Sequence, residues 1–139
     1  MKISWGSDQA DHPVARKVEA ILILLGHDIE PVPAHGGDWV DVGHQVGEAV
    51  ANRRARCGVV CCSTGTGVAI AANKIPGVRA AVCTDSSLAE QVRLFNHANV
   101  LALSLERTNP EDIDEIVRTW LHTPGGAQQR ECVDRLERL

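Results

Sequence analysis

The strongest structural constraint in this chain is an uninterrupted apolar run from Cys57 to Cys62. The run reads Cys-Gly-Val-Val-Cys-Cys and leads directly into a loop of small polar residues and glycines. A half-exposed strand alternates apolar and polar residues, whereas a strand covered on both faces is apolar throughout. The run therefore predicts a buried strand of a parallel sheet that has helices on both of its faces.

Strand and helix patterns alternate along the rest of the chain. The predicted strands are 2–5, 27–32, 57–62, 78–83 and 100–103. The predicted helices are 13–25, 41–54, 67–73, 86–94, 109–122 and 126–138. Short links between alternating strands and helices are typical of a doubly wound α/β fold. We therefore expect a single Rossmann-like domain over residues 1–139, with five parallel strands and with Asp41 as the N-cap of the second helix.

Composition excludes several classes of function. The chain has 139 residues, a net charge of −4 and 3% aromatic residues, so it offers neither a basic surface nor stacking platforms for nucleic acid. No apolar run reaches membrane-spanning length, and Met1–Gly6 lacks the apolar core of a signal segment. The cysteines are odd in number and lack paired metal-ligand spacing. We expect a reduced, cytoplasmic protein that binds neither nucleic acid nor membrane.

Candidate functional residues follow directly after the predicted strands. Asp8 comes after the first strand, Ser63–Gly67 after the third, and Ser104–Arg107 after the fifth. Ligands of open α/β sheets bind outside the carboxyl ends of the strands, near a reversal of the strand order. The loop after Cys62 also opens a short alanine-rich helix, whose first amides attract a thiolate, a phosphate or an enolate oxygen. A nucleophile or base beside an anion-binding loop suggests catalysis.

A dinucleotide-binding motif is the alternative that the same loop suggests. Gly65 and Gly67 follow a strand, and Asp85 lies about 20 residues further on, as the ribose-binding acid of NAD enzymes does. The third position of the motif is Ile70, where glycine or alanine would permit close packing of helix on strand. The helix is also short, and the motif lies at the third strand rather than the first. These departures argue against dinucleotide binding.

Several segments in and beyond this loop resemble a known family. They are 62–67 (Cys-Ser-Thr-Gly-Thr-Gly), 70–74 (Ile-Ala-Ala-Asn-Lys), 76–81 (Pro-Gly-Val-Arg-Ala-Ala), 6–8 (Gly-Ser-Asp), and Asn96 with 99–102 (Asn-Val-Leu-Ala). By these motifs the chain resembles the type B ribose 5-phosphate isomerases. That family also includes galactose 6-phosphate isomerase subunits and tetrose-phosphate isomerases. The resemblance spans nearly the whole chain in order.

The resemblance implies an aldose–ketose isomerase that works through a cis-enediolate and needs no metal or organic cofactor. Cys62 matches the base of the family, and the Thr64 hydroxyl would assist the oxyanion. The implied substrate-binding positions are Asp8, Ser63, Gly65, Thr66, Gly67, Asn96, Arg107 and Arg130. The family also implies a homodimer or a dimer of dimers, with the terminal helix packed on a partner subunit.

Several positions depart from the family pattern. Phe95 replaces a histidine that assists sugar-ring opening, and Gln9 replaces another histidine. Val42 stands where a tyrosine is often found in the loop before the second helix. Arg107 matches a phosphate-binding arginine only after a shift of one residue, and Arg130 is the best remaining phosphate ligand, reaching the site of a partner subunit.

These departures bear on the substrate, which the resemblance implies to be a small sugar phosphate such as ribose 5-phosphate or a tetrose phosphate. A tetrose 4-phosphate cannot close a furanose ring, because its terminal oxygen is esterified. An enzyme for that substrate can lose the ring-opening histidine without cost. Phe95 and Val42 therefore favour a short or open-chain sugar phosphate, such as erythrose 4-phosphate. A non-catalytic protein that binds sugar phosphates is the alternative.

Overall fold

Five parallel strands form one sheet in the computed structural model, which describes residues 1–139. The strands are β1 (Lys2–Ser7), β2 (Asp28–Pro31), β3 (Cys57–Cys62), β4 (Ala80–Val82) and β5 (Val100–Ser104). The helices are α1 (Pro13–Leu24), α2 (Trp39–Ala51), α3 (Thr66–Asn73), α4 (Ser86–Asn96), α5 (Ile113–His122) and α6 (Arg130–Glu137). The strand order is β2-β1-β3-β5-β4, and every pairing is parallel. The predicted fold of five parallel strands is confirmed.

Two apolar cores lie on opposite faces of the sheet. The larger core packs α1, α4 and α5 against one face, and it contains the buried tryptophans Trp5 and Trp120. The smaller core packs α2 and α3 against the other face, mainly through valine and alanine side chains. Helices therefore cover both faces of the sheet, as the apolar run at 57–62 predicts.

The central strand β3 is buried along its whole length. It lies between β1 and β5, with Ser7 opposite Cys61 and Ser104 opposite Cys62. Successive side chains of a strand point to opposite faces of the sheet. Cys61 therefore lies in the core formed with α1, α4 and α5, whereas Cys62 lies on the face that α2 and α3 cover. The two adjacent cysteines thus have different surroundings.

Some element ends differ from the sequence prediction. β1 extends to Ser7, while β4 shortens to Ala80–Val82. The N-cap of α2 is Asp38 rather than Asp41, because Asp38 has an extended backbone and its carboxylate accepts the Val40 amide at 2.6 Å. Asp41 lies within the first turn of α2, where its negative charge complements the helix dipole.

The six helices are short, and α2 is the longest with 13 residues. None of them has the length and apolar character needed to cross a membrane. α5 and α6 each begin with a 3-10 turn, over Pro110–Asp112 and Ala127–Gln129 respectively. The helices predicted from residues 109 and 126 therefore start at Ile113 and Arg130.

The packing of α2 against α3 depends on a glycine. A Cβ atom at Gly43 would lie 2.5 Å from the Val68 carbonyl oxygen and 2.7 Å from the Ala71 Cβ. Both distances are shorter than van der Waals contact, so the helices approach this closely only because position 43 has no side chain. Since α3 follows the loop after Cys62, this contact also fixes the position of that loop.

The substitution Gly43→Ala is expected to lower the free energy of unfolding by about 1–3 kcal/mol, because the added methyl group separates α2 from α3. Helix propensity alone would favour alanine, so a loss reports the steric conflict. Urea unfolding followed by circular dichroism, at one protein concentration, measures the change. The exposed neighbour His44 provides the control, since His44→Ala should change the value by less than about 0.5 kcal/mol. Unchanged stability of Gly43→Ala would contradict the close contact.

Candidate active site

The strand order reverses between β1 and β3, and the candidate site lies at the carboxyl ends of these strands. Asp8 follows β1, and Cys62 ends β3. The Asp8 amide donates to the Cys61 carbonyl at 3.3 Å, which holds the two chain segments side by side. The acid and the thiol predicted from the sequence therefore lie at the same point of the sheet edge.

The loop after Cys62 turns sharply at Gly65. This residue has a left-handed backbone with φ of 76°, and a Cβ atom there would lie 2.9 Å from the Leu103 carbonyl carbon. Both conditions require glycine. The Gly65 amide donates to the Cys62 carbonyl at 3.2 Å, so the turn begins at the thiol-bearing residue itself. α3 therefore starts close to the end of β3.

Four backbone amides of this loop and of the first turn of α3 have no acceptor in the protein. They belong to Ser63, Thr64, Gly67 and Val68. Free N–H groups at a helix N-terminus, together with the helix dipole, form an anion-binding site. Because these amides follow Cys62 directly, they can stabilise negative charge on a molecule bound beside the thiol.

Ser104 anchors the loop to β5. Its buried hydroxyl donates to the Ser63 carbonyl at 2.7 Å and accepts the Arg107 amide at 2.8 Å. The Glu106 amide donates to the same Ser63 carbonyl at 3.1 Å. With this carbonyl held by two donors, the loop amides are fixed before any ligand binds. The sequence indicates Ser104 only as one of several residues after the predicted fifth strand, because a hydroxyl that bonds a loop carbonyl has no motif; in the structure it is the last residue of β5.

Hydroxyl side chains add further hydrogen-bonding groups to the loop. Thr64 Oγ1 and Thr66 Oγ1 lie 2.6 Å apart, and Gln9 Nε2 donates to Ser63 Oγ at 3.0 Å. Gln9 stands where the family resemblance leads one to expect histidine. An amide side chain cannot transfer a proton as imidazole does. Gln9 therefore supports the loop without adding an acid or a base.

One carboxylate oxygen of Asp8 is buried and has no hydrogen-bond partner. Burial raises the pKa of Asp8 above its usual value; the amides of Asp8 and Gln9 oppose this rise, and the charge of Asp38 adds to it. Buried polar atoms in proteins are nearly always bonded. An unpartnered acceptor beside Cys62 is therefore suited to a hydroxyl group of a ligand.

Three other cysteines are buried in surroundings that disfavour the thiolate. Burial raises the pKa of Cys57 to about 11 and the pKa of Cys83 to about 12, and it also raises the pKa of Cys61. The thiolate is the reactive form of cysteine, so these three side chains stay protonated at neutral pH. Cys132 is exposed on α6, away from the sheet edge. Cys62 alone among the cysteines adjoins the free amides.

The aromatic residue beside the loop is Trp39, and not a side chain at position 42, where the family pattern often has tyrosine. Val42 lies inside α2 and is fully buried, so the expectation that position 42 belongs to the loop before this helix is wrong. The Trp39 ring lies against Gly67, where an added Cβ would come within 2.8 Å of ring atom Cε3. Trp39 is half-exposed and forms a wall beside the start of α3. The sequence does not indicate this role for Trp39, because a tryptophan directly after an N-cap matches no known site motif.

Two predicted site residues lie at the edge of the sheet where the strands begin. We call this the amino edge, and the edge where the strands end, with the Cys62 loop, the carboxyl edge. Asn96 ends α4 and Arg130 begins α6, and both lie near the amino ends of the strands. Phe95 is half-exposed next to Asn96. Arg107, in contrast, follows β5 at the same edge as the loop. Within one chain, Asp8, the loop and Arg107 come together, whereas Asn96 and Arg130 are remote from them.

Neither nearby histidine takes the place that Phe95 leaves. His12 caps α1, and its Nδ1 accepts the Val14 amide at 3.1 Å. His97 lies at the amino edge, with its Nε2 2.7 Å from the Gly126 carbonyl oxygen. Both rings are therefore bound to the backbone outside the Cys62 loop.

Comparison with known proteins assigns this architecture to a family. The family model described as Ribose/Galactose Isomerase matches residues 3–137. The chain belongs to this family. The solved structure of ribose-5-phosphate isomerase B from Clostridium thermocellum matches with a TM-score of 0.92 and 37% identity, over 99% of this chain and 96% of that chain. The Rossmann-like fold and the resemblance based on segment 62–67 are confirmed.

The named relatives of this chain differ in the share of its length that they match. Ribose-5-phosphate isomerase B of Escherichia coli is 33% identical over 98% of this chain and 96% of its own length. D-erythrulose-4-phosphate isomerase of Pectobacterium atrosepticum is 38% identical over 60% of this chain and 55% of its own length. The DNA damage-repair/toleration protein DRT102 of Arabidopsis thaliana is 36% identical over 89% of this chain, which spans only 40% of that protein.

The substitution Asp8→Asn is expected to raise the melting temperature at about pH 7 and to leave it unchanged near pH 3. An aspartate whose folded-state pKa is raised destabilises the folded state progressively as pH rises above the unfolded value of about 3.9. Asparagine carries no charge and lacks this penalty. Thermal unfolding over this pH range measures the difference. Asp134→Asn, at an exposed position, is the control and should show the same dependence of melting temperature on pH as the wild type. The same wild-type dependence for Asp8→Asn would contradict the raised pKa of Asp8.

Proposed function

We propose that this chain interconverts the aldose and ketose forms of a small sugar phosphate, with Cys62 as the catalytic base. The reaction moves a proton between two adjacent carbons through a cis-enediolate. It needs a base near the carbon acid and donors for the oxygen that gains negative charge. The scheme uses neither a metal ion nor an organic cofactor.

The observation that carries this proposal is the position of the Cys62 thiol beside four backbone amides that have no protein acceptor. A thiol at the end of a strand is by itself more often a packing group than a reactive one. Free amides beside it supply the anion stabilisation that an enediolate requires. The isomerase names of the full-length relatives support this class of reaction.

In the proposed reaction, the Cys62 thiolate takes the proton from the carbon next to the substrate carbonyl. The C–H electron pair forms the carbon–carbon double bond of the enediolate, and the carbonyl π electrons move onto the oxygen. The loop amides and the Thr64 hydroxyl donate to that oxygen. A proton then passes between the two enediol oxygens, and Cys62 returns its proton to the neighbouring carbon, which regenerates the thiolate.

Substrate contacts from the same chain follow from the geometry of the sheet edge. The unpartnered Asp8 oxygen accepts a sugar hydroxyl, and Ser63 and Thr66 add hydroxyl groups along the loop. Gly65 packs on β5 and Gly67 packs on the Trp39 ring, so these two glycines contribute only their backbone to substrate binding, with the free Gly67 amide as a donor. Arg107, exposed after β5, is the cation of this edge that can contact the phosphate.

A partner subunit completes the site in this proposal. Asn96 and Arg130 lie at the amino edge, so they do not contact a substrate held by the Cys62 loop of the same chain. In a homodimer or a dimer of dimers they would reach the partner's loop, Asn96 bonding a sugar hydroxyl and Arg130 the phosphate. α6 carries the half-exposed apolar residue Leu136, which suits a helix that packs on a partner.

Phe95 favours a substrate that needs no ring opening. Phenylalanine cannot donate a proton, and neither His12 nor His97 stands in its place. Tetrose 4-phosphates such as erythrose 4-phosphate and erythrulose 4-phosphate do not form a furanose. The match to an erythrulose-phosphate isomerase supports this pair, over the 60% of the chain that it covers. Ribose 5-phosphate is the second candidate, supported by the Escherichia coli relative.

Exchange of substrate hydrogen with deuterated solvent tests the proposed base directly. Wild-type protein is expected to catalyse exchange at the carbon next to the carbonyl of at least one aldose or ketose phosphate. Cys62→Ala should lower the rate by about 100-fold or more, because no base remains in the loop. Cys83→Ala removes a buried thiol in the core on the opposite face of the sheet and should retain the wild-type rate. Proton NMR of the substrate signal measures both.

The same experiment separates the enzyme from a non-catalytic sugar-phosphate-binding protein. The changed positions Gln9 and Phe95 favour the latter, whereas the intact loop at Cys62 opposes it. Absence of exchange with every tetrose, pentose and hexose phosphate would refute the isomerase proposal. Equal exchange rates for wild type and Cys62→Ala would refute the role of Cys62.

Substrate preference has its own test at position 95. Wild type is expected to turn over tetrose 4-phosphates at least about 10-fold faster, as kcat/KM, than ribose 5-phosphate, because proton transfer for ring opening is missing. Phe95→His should raise kcat/KM for ribose 5-phosphate and leave that for the tetrose unchanged. Phe95→Leu, which restores no acid, is the matched control. Efficient wild-type turnover of ribose 5-phosphate without turnover of tetrose phosphates would exclude the tetrose assignment.

A further inference from the structure

A cationic cavity lies at the amino edge of the sheet, opposite the Cys62 loop. It has a volume of about 490 Å³, and its walls include residues at the start of β3 and at the end of α5. Its lining includes Arg56, Arg79, Arg93 and Arg130, two histidines and the N-terminal residue. It includes no aspartate or glutamate. Positive charge is therefore concentrated here in a chain whose net charge is −4.

Arg93 is partly buried and forms no ion pair with a carboxylate. Its guanidinium donates to the carbonyl oxygens of Ala98 and Thr123, and it stacks 4.8 Å from the ring centre of Trp120. These partners are neutral groups. The pKa of Arg93 is lowered, chiefly by burial and further by the charges of Arg56 and other arginines. The partly desolvated charge of Arg93 therefore has no opposite charge beside it, and an anion bound in the cavity would supply one.

Arg56 and Arg130 leave their guanidinium groups free at the same cavity. Neither takes part in an ion pair, whereas Arg79 is paired with Glu137. The Met1 amino group also lies at this edge, 3.4 Å from His27 Nδ1. Like charges around one cavity repel one another, and a bound anion would remove that repulsion.

We propose that this cavity binds the phosphate group of a small ligand through Arg56, Arg93 and Arg130. Guanidinium groups bind phosphate through paired N–H donors, which makes arginine the preferred residue for such groups. A volume of about 490 Å³ falls within the range of small-molecule sites. The phosphate belongs either to a free anion or to a substrate that a partner subunit holds near Arg130. The second of these sources rests on the proposed function, whereas the charges of the cavity do not depend on the chemistry of Cys62.

Titration calorimetry with inorganic phosphate tests the site. Wild type is expected to show saturable binding at a site that depends on Arg56, and its affinity should fall as salt is added. Arg56→Gln should weaken binding by about five-fold or more, because an exposed arginine can be replaced without disturbing the core. Arg93 is left intact in this test, since it also holds the backbone of Ala98 and Thr123. Arg54→Gln, at an exposed arginine outside the cavity, should bind as wild type does.

Two further measurements distinguish the sources of the phosphate. Wild-type affinity in Cys62→Ala, without competition between phosphate and substrate, identifies a free anion. Competitive inhibition by phosphate, together with a raised KM in Arg56→Gln, identifies the phosphate of a substrate held by the partner. Both outcomes support the cavity as a phosphate site. Absence of saturable binding, or equal affinity in Arg56→Gln and wild type, would overturn it, and neither result bears on deuterium exchange at the Cys62 loop.

Discussion

The pairing of β3 between β1 and β5 is the interaction on which the candidate site depends. It sets Ser7 opposite Cys61 and Ser104 opposite Cys62, so the segments after all three strands emerge at one level. A shift of one residue along β3 would turn Cys62 into the opposite core and expose Cys61 to the loop instead. Strand register therefore decides which of two adjacent cysteines can act as a base, and the loop sequence alone does not.

The rigidity of the loop explains how an anion site can exist without a cation beside the thiol. Ser104 and the Glu106 amide hold the Ser63 carbonyl, and Gly65 packs against β5. The free amides therefore keep their direction at no cost when charge develops, which is the condition for strong electrostatic stabilisation. Asp8 adds an acceptor whose burial has a cost in stability at neutral pH. An acid with a raised pKa and an unpartnered oxygen, together with fixed donors, marks this edge as a functional one.

Features decided by one short pattern could be predicted from the sequence, and contacts between distant segments could not. The bounds of β3 are as predicted, because a continuous apolar run ends where glycines begin. The sequence predicts Asp41 as the N-cap of α2, whereas the structure has Asp38, since both residues are acidic and only the backbone geometry separates them. Ser104 and Trp39 act through contacts with residues far away in the chain, which no spacing rule reports. The cationic cavity is the extreme case, because its arginines come from four separate segments.

The division of residues between the two edges of the sheet constrains how a complete site can form. Asp8 and the loop lie at the carboxyl edge, while Asn96 and Arg130 lie at the amino edge. A symmetric pair of chains exchanges the same surface in both directions, so each amino edge would serve the other chain's loop. The change at Phe95 would then act in the partner's site rather than in its own. In that arrangement, position 95 would influence the substrate only across the contact between subunits, so the proposed substrate preference and the proposed assembly depend on each other.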